Sequence, residues 1–451
     1  MEFELTEDFL EQLKNAVVSR KILYIQDQMN ELLAPDISII LHELDMHEAK
    51  YILQLLDKEF SAEIIRELDE DFRKKFLKDF SSEEIADYIE FIDSDDAVDI
   101  LNEQPVRIRE EVIDLLEDET KANHIKDLLH YDEDCAGGLM AKELLKTNLN
   151  WTIDQCIEEI RRQTKNVEKI YSIYVVDNQD KLLGRVSLKK MLLADDNALI
   201  ADVYDSDIIS VESYRDAKEV AEIMKRYDLV SIPVVNVHGK LLGRITIDDI
   251  VDVITEQAEL DIQMMAGISN PIEEDDDIWT LSKARLPWLL IGMLGGILGA
   301  KFIGLFEADI ALIPAMAFFI PLITATGGNV GIQSSSVIVQ TLAKETSPTL
   351  LTFDRFFKGL LVALINGIVI SGVVFLINFL IGEATTLSIV VSTALFCVVM
   401  LSSLMGTITP ILLSRFGVNP ALASGPFITT ANDLLGLGIY FSVAHLLYSN
   451  L

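Results

Sequence analysis

The run Gly425-Pro426-Phe427-Ile428-Thr429-Thr430-Ala431-Asn432-Asp433-Leu434-Leu435-Gly436 opens the last long apolar stretch of the chain, which continues to Leu447. Its length predicts a membrane-spanning helix, and Asp433 falls near the middle of it. A carboxylate at that depth costs about 2.5 to 3.5 kcal/mol on insertion scales unless it meets water or a partner. It therefore points to an ion path. Gly425, Thr429, Asn432, Asp433, Gly436 and Tyr440 recur at helical spacing on one broad face. The structural alternative is a buried ion pair of Asp433 with Lys301, although Lys301 can snorkel toward an interface.

Working outward, four further apolar stretches precede this one, giving spans at about 287 to 306, 310 to 340, 357 to 381, 387 to 413 and 421 to 448. The loops alternate in basic content. Lys283 and Arg285 precede the first span, Lys344, Arg355 and Lys358 follow the second, and Arg415 follows the fourth, whereas the loops at 307–309 and 382–386 carry no Lys or Arg. The positive-inside rule then puts the N-terminal half in the cytoplasm and the C-terminus outside. The second span contains Pro314, Pro321 and the polar run Thr324-Ala325-Thr326-Gly327-Gly328-Asn329-Val330-Gly331-Ile332-Gln333-Ser334-Ser335-Ser336. Such a run either lines a cavity, as Asn329 and Gln333 suggest, or packs closely through its small residues.

Charge divides the 451-residue chain sharply. The formal net charge is −35, and only six acidic and five basic residues lie beyond Leu286. No basic patch exists to neutralise phosphates, so nucleic acid is excluded as a partner, and small cations are the natural counter-ions. Three cysteines at irregular spacing fit neither a disulfide framework nor a zinc site. No basic region followed by an apolar core opens the chain, so no cleaved signal peptide is expected. Six scattered histidines and the lack of a phosphate-binding loop argue against an enzyme.

The acidic half is repetitive. Ile173-Tyr174-Val175-Val176 and Lys181-Leu182-Leu183-Gly184-Arg185-Val186 recur 59 residues later as Ile232-Pro233-Val234-Val235 and Lys240-Leu241-Leu242-Gly243-Arg244-Ile245. Each copy reads as strand, turn, strand, helix, preceded by an amphipathic helix at 152–164 or 216–227. The tandem resembles a pair of cystathionine beta-synthase (CBS) motifs, and its adenosine cleft is not legible. Residues 1 to about 130 are helical by pattern, with a recurrence of about 24 residues at Leu44-Asp45, Leu68-Asp69 and Ile92-Asp93, each a helix start. A helix from Thr246 to about Asn270 carries Asp248, Asp249, Asp252, Glu256, Glu259 and Asp261. The run 273–277 reads as a solvated acidic linker. The expected fold is multidomain: an all-α superhelical N-terminal domain at 1–132, an α/β tandem CBS domain at 133–256, a connecting plug helix and linker at 257–280, and an α-helical transmembrane domain with five spans at 281–451.

In this order of parts, and in the runs Gly328-Asn329-Val330-Gly331-Ile332-Gln333-Ser334 and Asn419-Pro420-Ala421-Leu422-Ala423-Ser424-Gly425-Pro426 through Asn432-Asp433, the chain resembles the MgtE family of magnesium channels or transporters. The resemblance implies a homodimer in the bacterial inner (plasma) membrane whose pore runs along the second and fifth spans and conducts Mg²⁺ passively. Asp433 matches the family's pore aspartate, with Thr429, Asn432, Gly436, Asn329 and Gln333 around it. It also implies closure at high cytosolic Mg²⁺, bridged by Glu63, Asp95 and Asp99 of the helical domain, Asp228, Asp249, Asp252 and Glu256 of the CBS region, and Glu259 and Asp261 of the connecting helix. An adenine nucleotide at the CBS domain is a further possible ligand. Asn419 and Ile332 depart from the family pattern, the first replacing an acidic residue that would tie the connecting helix to the pore through Mg²⁺, which implies weaker closure. Carriage of another divalent cation such as Mn²⁺ or Co²⁺, and a non-transporting membrane-bound ion sensor, stay open as alternatives.

Overall fold

The computed structural model describes residues 5–163, 170–272, 276–344, 353–423 and 425–448, so that Glu273, Glu274, Asp275, Ser424 and the loop 345–352 singled out by sequence lie outside it. The chain divides into two compact units, Met1–Ile254 and Thr255–Leu451.

The first unit begins with ten α-helices between Glu7 and Leu128. From the fourth to the ninth helix their N-cap positions are Asp45, Asp57, Asp69, Ser81, Asp93 and Pro105, twelve residues apart. The 24-residue recurrence legible in the sequence is thus two such steps. Asp45 accepts from the His47 N–H, Asp57 from Glu59, Asp69 from Asp71 and Phe72, and Ser81 from Glu84. Each such cap satisfies donors that the first turn leaves open, for about 1 kcal/mol. Just before these caps Leu44, Leu68, Phe80 and Ile92 turn inward and are buried. A fixed step of cap, buried residue and short amphipathic helix repeats one packing geometry, which produces a superhelical stack.

Two three-stranded sheets follow. β1 (Leu145–Asn148), β2 (Ile173–Val176) and β3 (Leu182–Val186) form one, and β4 (Val211–Glu212), β5 (Ser231–Val235) and β6 (Leu241–Thr246) the other. In each the first pair is parallel and the second antiparallel. The central strands are buried along their whole length, which is why they read as unbroken apolar runs rather than alternating ones. The helices Ile153–Gln163 and Ala217–Arg226 provide the crossovers. The opening strands β1 and β4 were not expected; four and two residues long, they are too short to show a pattern.

Among the described residues the second unit carries five helices long and apolar enough to cross a membrane: Ile278–Gly304, Pro314–Leu342, Phe356–Ile381, Thr385–Arg415 and Pro420–Tyr448. The first starts nine residues earlier than the expected 287, because Asp277 caps the N–H groups of Trp279 and Thr280 and the helix runs through Pro287. The second span is irregular at its start, where a short helix Glu307–Leu312 and a 3₁₀ turn Pro314–Phe319 precede the regular helix Ile320–Lys344. The polar run 324–336 is continuous α-helix. The fourth helix is central, with Val390, Val391, Ala394, Leu395 and Val398 packed into one cluster with Leu437, Tyr440 and Phe441 of the fifth. The third, by contrast, leaves Val362, Ile365, Ile368, Val369 and Leu376 exposed, a face suited to lipid.

Candidate functional site

Within the membrane unit the second and fifth helices approach closely because glycines remove the side chains between them. A Cβ on Gly331 would lie 1.9 Å from Asn432 Nδ2 and 2.7 Å from Ile428 Cγ2. One on Gly328 would meet Thr429 Cγ2 at 3.2 Å and Asp433 Oδ1 at 3.8 Å. Asp433 and Thr429 therefore sit together over Gly328, both half-buried. Thr429 is oriented by its hydroxyl, which donates to the Gly425 carbonyl at 3.0 Å. Gly425 itself has φ +58, the left-handed conformation that starts the helix.

The broad polar face expected on the fifth helix is split. Asn432 is 1% exposed with neither amide atom hydrogen-bonded, Gly436 is buried near Val398 and Ile323, and Tyr440 is buried with its hydroxyl donating to the Met316 carbonyl at 2.9 Å. Asn329 and Gln333 lie on an exposed stripe of the second helix, and Ile332 between them is half-buried. The glycines of the polar run thus pack closely, as one of the two readings expects, while its amides face outward. Lys301 is exposed and forms no ion pair with Asp433; elsewhere in the membrane unit His445 Nδ1 lies 3.7 Å from Asp309 Oδ1.

In the first unit, Asp93, Asp95 and Asp96 at the start of helix Ser94–Asn102 meet Asp248 and Asp249 at the start of the connecting helix Ile247–Met265 around a pocket of about 40 Å³. Arg66 and Arg244 stand on its wall, 4.0 Å from Asp96 and Asp93 respectively. Asp249 accepts from the Thr246 N–H at 2.7 Å and the Thr246 hydroxyl at 2.9 Å. Burial, then repulsion from Glu143, pushes the Asp93 carboxyl up to about 6. Burial raises Asp96 and Asp249 to about 6 as well, against the pull of Arg66 on the one and the Thr246 hydrogen bonds on the other. Asp95 rises well above the usual range through burial and the charges of Asp96 and Asp249. Of the expected regulatory residues this brings Asp95 and Asp249 together. Glu63, Asp99, Asp228, Asp252, Glu256 and Glu259 are exposed, and Asp261 is half-buried. Asp93, Asp96 and Asp248 were missed as site residues, though their adjacency to the expected aspartates was the available signal. Among the described residues no three His, Cys, Asp or Glu side chains converge to hold a metal ion.

A second cavity, of about 350 Å³, lies between the two sheets and is lined by Tyr174, Arg185, Asp207, Ile208, Tyr227 and Leu229 among others. Its residues come from both repeats, which hid it from a linear reading. At the far end of the connecting helix Asn419 Nδ2 donates to Asp261 Oδ1 at 3.1 Å. Position 419, where the resemblance implies an acidic residue, thus makes a direct contact.

Three families match the chain. The MgtE divalent cation transporter family matches residues 320–443, the MgtE intracellular N domain residues 32–134, and the CBS domain residues 136–197 and 200–256. The magnesium transporter MgtE of Enterococcus faecalis is 35% identical over 72% of this chain and 71% of its own length. That of Thermus thermophilus is 33% identical over 78% of each, and that of Bacillus subtilis 31% identical over 72% of each. Among solved structures, the soluble part of a magnesium transporter superposes with a TM-score of 0.51 at 29% identity, covering 56% of this chain and 99% of that one. The cytosolic domain of the Mg²⁺ channel MgtE in complex with ATP gives the same TM-score and identity over 54% and 99%.

Proposed function

Because the chain belongs to the MgtE family of magnesium transporters, we propose that it is a homodimeric channel that passes Mg²⁺ down its gradient and is closed by cytosolic Mg²⁺. The observation that carries the reading is the placement of Asp433 and Thr429 over Gly328. Mg²⁺ loses water reluctantly and favours octahedral oxygen ligands. A site of one carboxylate per subunit, doubled by two-fold symmetry, suits an ion held through its waters. Asn329 and Gln333 on the exposed stripe of the second helix are then the amides that a second copy would enclose.

Closure follows from the acidic cluster. The carboxylates of Asp93, Asp95, Asp96, Asp248 and Asp249 repel one another at a cost of about 1 to 4 kcal/mol per contact pair, depending on effective dielectric. A hydrated Mg²⁺ relieves that repulsion without needing three direct ligands. The exposed carboxylates Glu63, Asp99, Asp228, Asp252, Glu256 and Glu259 supply further bridges of the same kind. In this reading the protein sits in the plasma membrane with its acidic half in the cytoplasm, an orientation that the basic loops support. The cavity between the sheets accepts an adenine nucleotide: Ile208, Leu229 and Tyr227 offer apolar walls, Asp207 an acceptor for hydroxyls and Arg185 a phosphate partner. ATP in the cytosolic domain of the related Mg²⁺ channel supports that assignment.

The test is Mg²⁺ influx into liposomes carrying the purified protein beside an Asp433→Ala version of equal yield and oligomeric state. Flux that vanishes in the variant places the ion path at Asp433. Unchanged flux moves it elsewhere, and no flux from either favours an ion sensor.

A further inference from the structure

We propose that Asn419 is a positioning residue that latches the end of the connecting helix onto the entrance of the fifth membrane helix without a cation. The inference rests on the reading of the chain as a gated transporter, while the contact is measured independently of transport.

The Asn419 amide has a fixed orientation. Its Oδ1 accepts the Ala421 N–H at 2.9 Å, which turns Nδ2 toward Asp261 at 3.1 Å. The Met264 sulfur lies 3.3 Å from the same nitrogen, and the Asp261 oxygen also accepts from Gln257 Nε2 at 2.9 Å. Around this point backbone meets backbone. Gly425 has φ +58, and a Cβ there would lie 2.4 Å from the Met265 carbonyl oxygen; Gly267 has φ +83, and a Cβ there would lie 2.7 Å from Pro426 Cγ. No side chain fits at either position, so the two glycines let the helix end press against the loop. The chain beyond is held as well: Gln263 bonds both the carbonyl and the N–H of Ile272, at 2.8 and 3.1 Å, and Ser269 donates to the Ala284 carbonyl at 3.1 Å.

A neutral amide facing one carboxylate makes a charge-assisted hydrogen bond and needs no counter-ion. Two carboxylates at the same separation would repel and call for one. Docking of residues 261–268 is therefore cation-free, and the Mg²⁺ sensitivity of the gate enters through the carboxylates at the other end of the helix.

Hydrogen exchange read by mass spectrometry on the full chain in lipid nanodiscs tests this, following peptides from 260 to 270 in EDTA and in millimolar Mg²⁺. Wild-type protection is expected to be equal in both. Asn419→Ala should lose about tenfold or more of it in both, as loss of a hydrogen bond to a charged group predicts. Asn419→Asp should lose it in EDTA and regain it with Mg²⁺. Asp261→Ala should match Asn419→Ala, and the double variant should be no worse than either, which identifies the pair rather than general loosening; unchanged exchange in the fifth helix reports that the variants fold. Wild-type protection that appears only with Mg²⁺, an Asn419→Ala chain as protected as wild type, or an Asn419→Asp chain protected in EDTA would overturn the latch. Liposome flux separates the two claims: absent flux with these exchange patterns intact removes the channel and leaves the contact.

Discussion

Glu143 accepts two hydrogen bonds from Ser94, at 3.1 Å from its N–H and 2.7 Å from its hydroxyl. Ser94 opens the helix that carries Asp95, Asp96 and Asp99, and the side chain of its N-cap, Asp93, makes no capping bond. The carboxylate that serves this helix end comes instead from the start of the CBS region, and the Lys142 N–H donates back to the Ser94 hydroxyl at 3.0 Å. Burial alone would raise the Glu143 carboxyl, but hydrogen bonds from His124 and Ser94 hold it below the usual range. The helical and CBS domains are thus joined by a charged cap.

Glu143→Ala should consequently loosen this junction even in saturating Mg²⁺. Removing the cap and exposing the buried Ser94 donors costs about 1 to 3 kcal/mol. Exchange of the amides of residues 94–98 in the full chain should accelerate by about tenfold or more, with the helices before Leu68 unchanged. Equal exchange with and without the substitution would assign the junction to apolar packing.

The acidic cluster predicts a pH dependence of definite sign. Asp93, Asp96 and Asp249 have folded-state values of about 6 against an ordinary 3.8. The docked state therefore binds protons more tightly than the separated state. Its stability is full below the ordinary value and is lost as pH rises through about 6. In EDTA the first unit should resist proteolysis better at pH 5.5 than at pH 7.5. Mg²⁺ should protect strongly at 7.5 and little at 5.5, because protons have already discharged the carboxylates. Asp249→Asn should mimic acidification. Protection in EDTA that does not change between the two pH values would count against carboxylate repulsion as the opening force.

Close packing at Gly331 gives a sharper membrane prediction. Gly331→Ala puts a methyl group within 1.9 Å of the Asn432 amide, and the helices must separate, for about 1 to 3 kcal/mol of destabilisation. Gly328→Ala meets Thr429 at 3.2 Å, a contact that crowds Asp433 without prying the helices apart. The first variant should lose both melting temperature in detergent and flux. The second should lose flux alone. Gly296→Ala, with nothing within 4 Å of its Cβ, is the control and should leave both intact.

Residues whose role is set by their own neighbours in sequence were legible; those set by distant ones were not. The 59-residue repeat announced the two sheets because buried central strands are plainly apolar, and Asp433 stood out because no other Asp, Glu, Lys or Arg lies in its helix. The twelve-residue step was half hidden, since Ser81 and Pro105 interrupt its series of aspartate caps. Asn419 and Asp261 are 158 residues apart, and the sequence presented position 419 as a lost charge rather than a hydrogen-bond donor. Glu143 belongs to a stretch with no helical or strand period, so its partner Ser94 could emerge only from the folded chain.

The cavity between the sheets makes the last prediction. Tyr174, its hydroxyl 3.0 Å from Ser231 Oγ, joins the two repeats at the base of the cavity, so a ligand there clamps both. A ligand that binds only the folded state stabilises it by about 2.7 kcal/mol at one hundred times its dissociation constant. ATP should therefore raise the melting temperature of the full chain, and inorganic phosphate should not, because the apolar walls recognise a base. Asp207→Ala should weaken ATP and adenosine alike, since both present ribose hydroxyls. Arg185→Ala should weaken ATP and leave adenosine unaffected, since only the phosphates reach a guanidinium at the exposed mouth. A thermal shift produced equally by ATP and by phosphate, or one untouched by Asp207→Ala, would remove the nucleotide from this cavity.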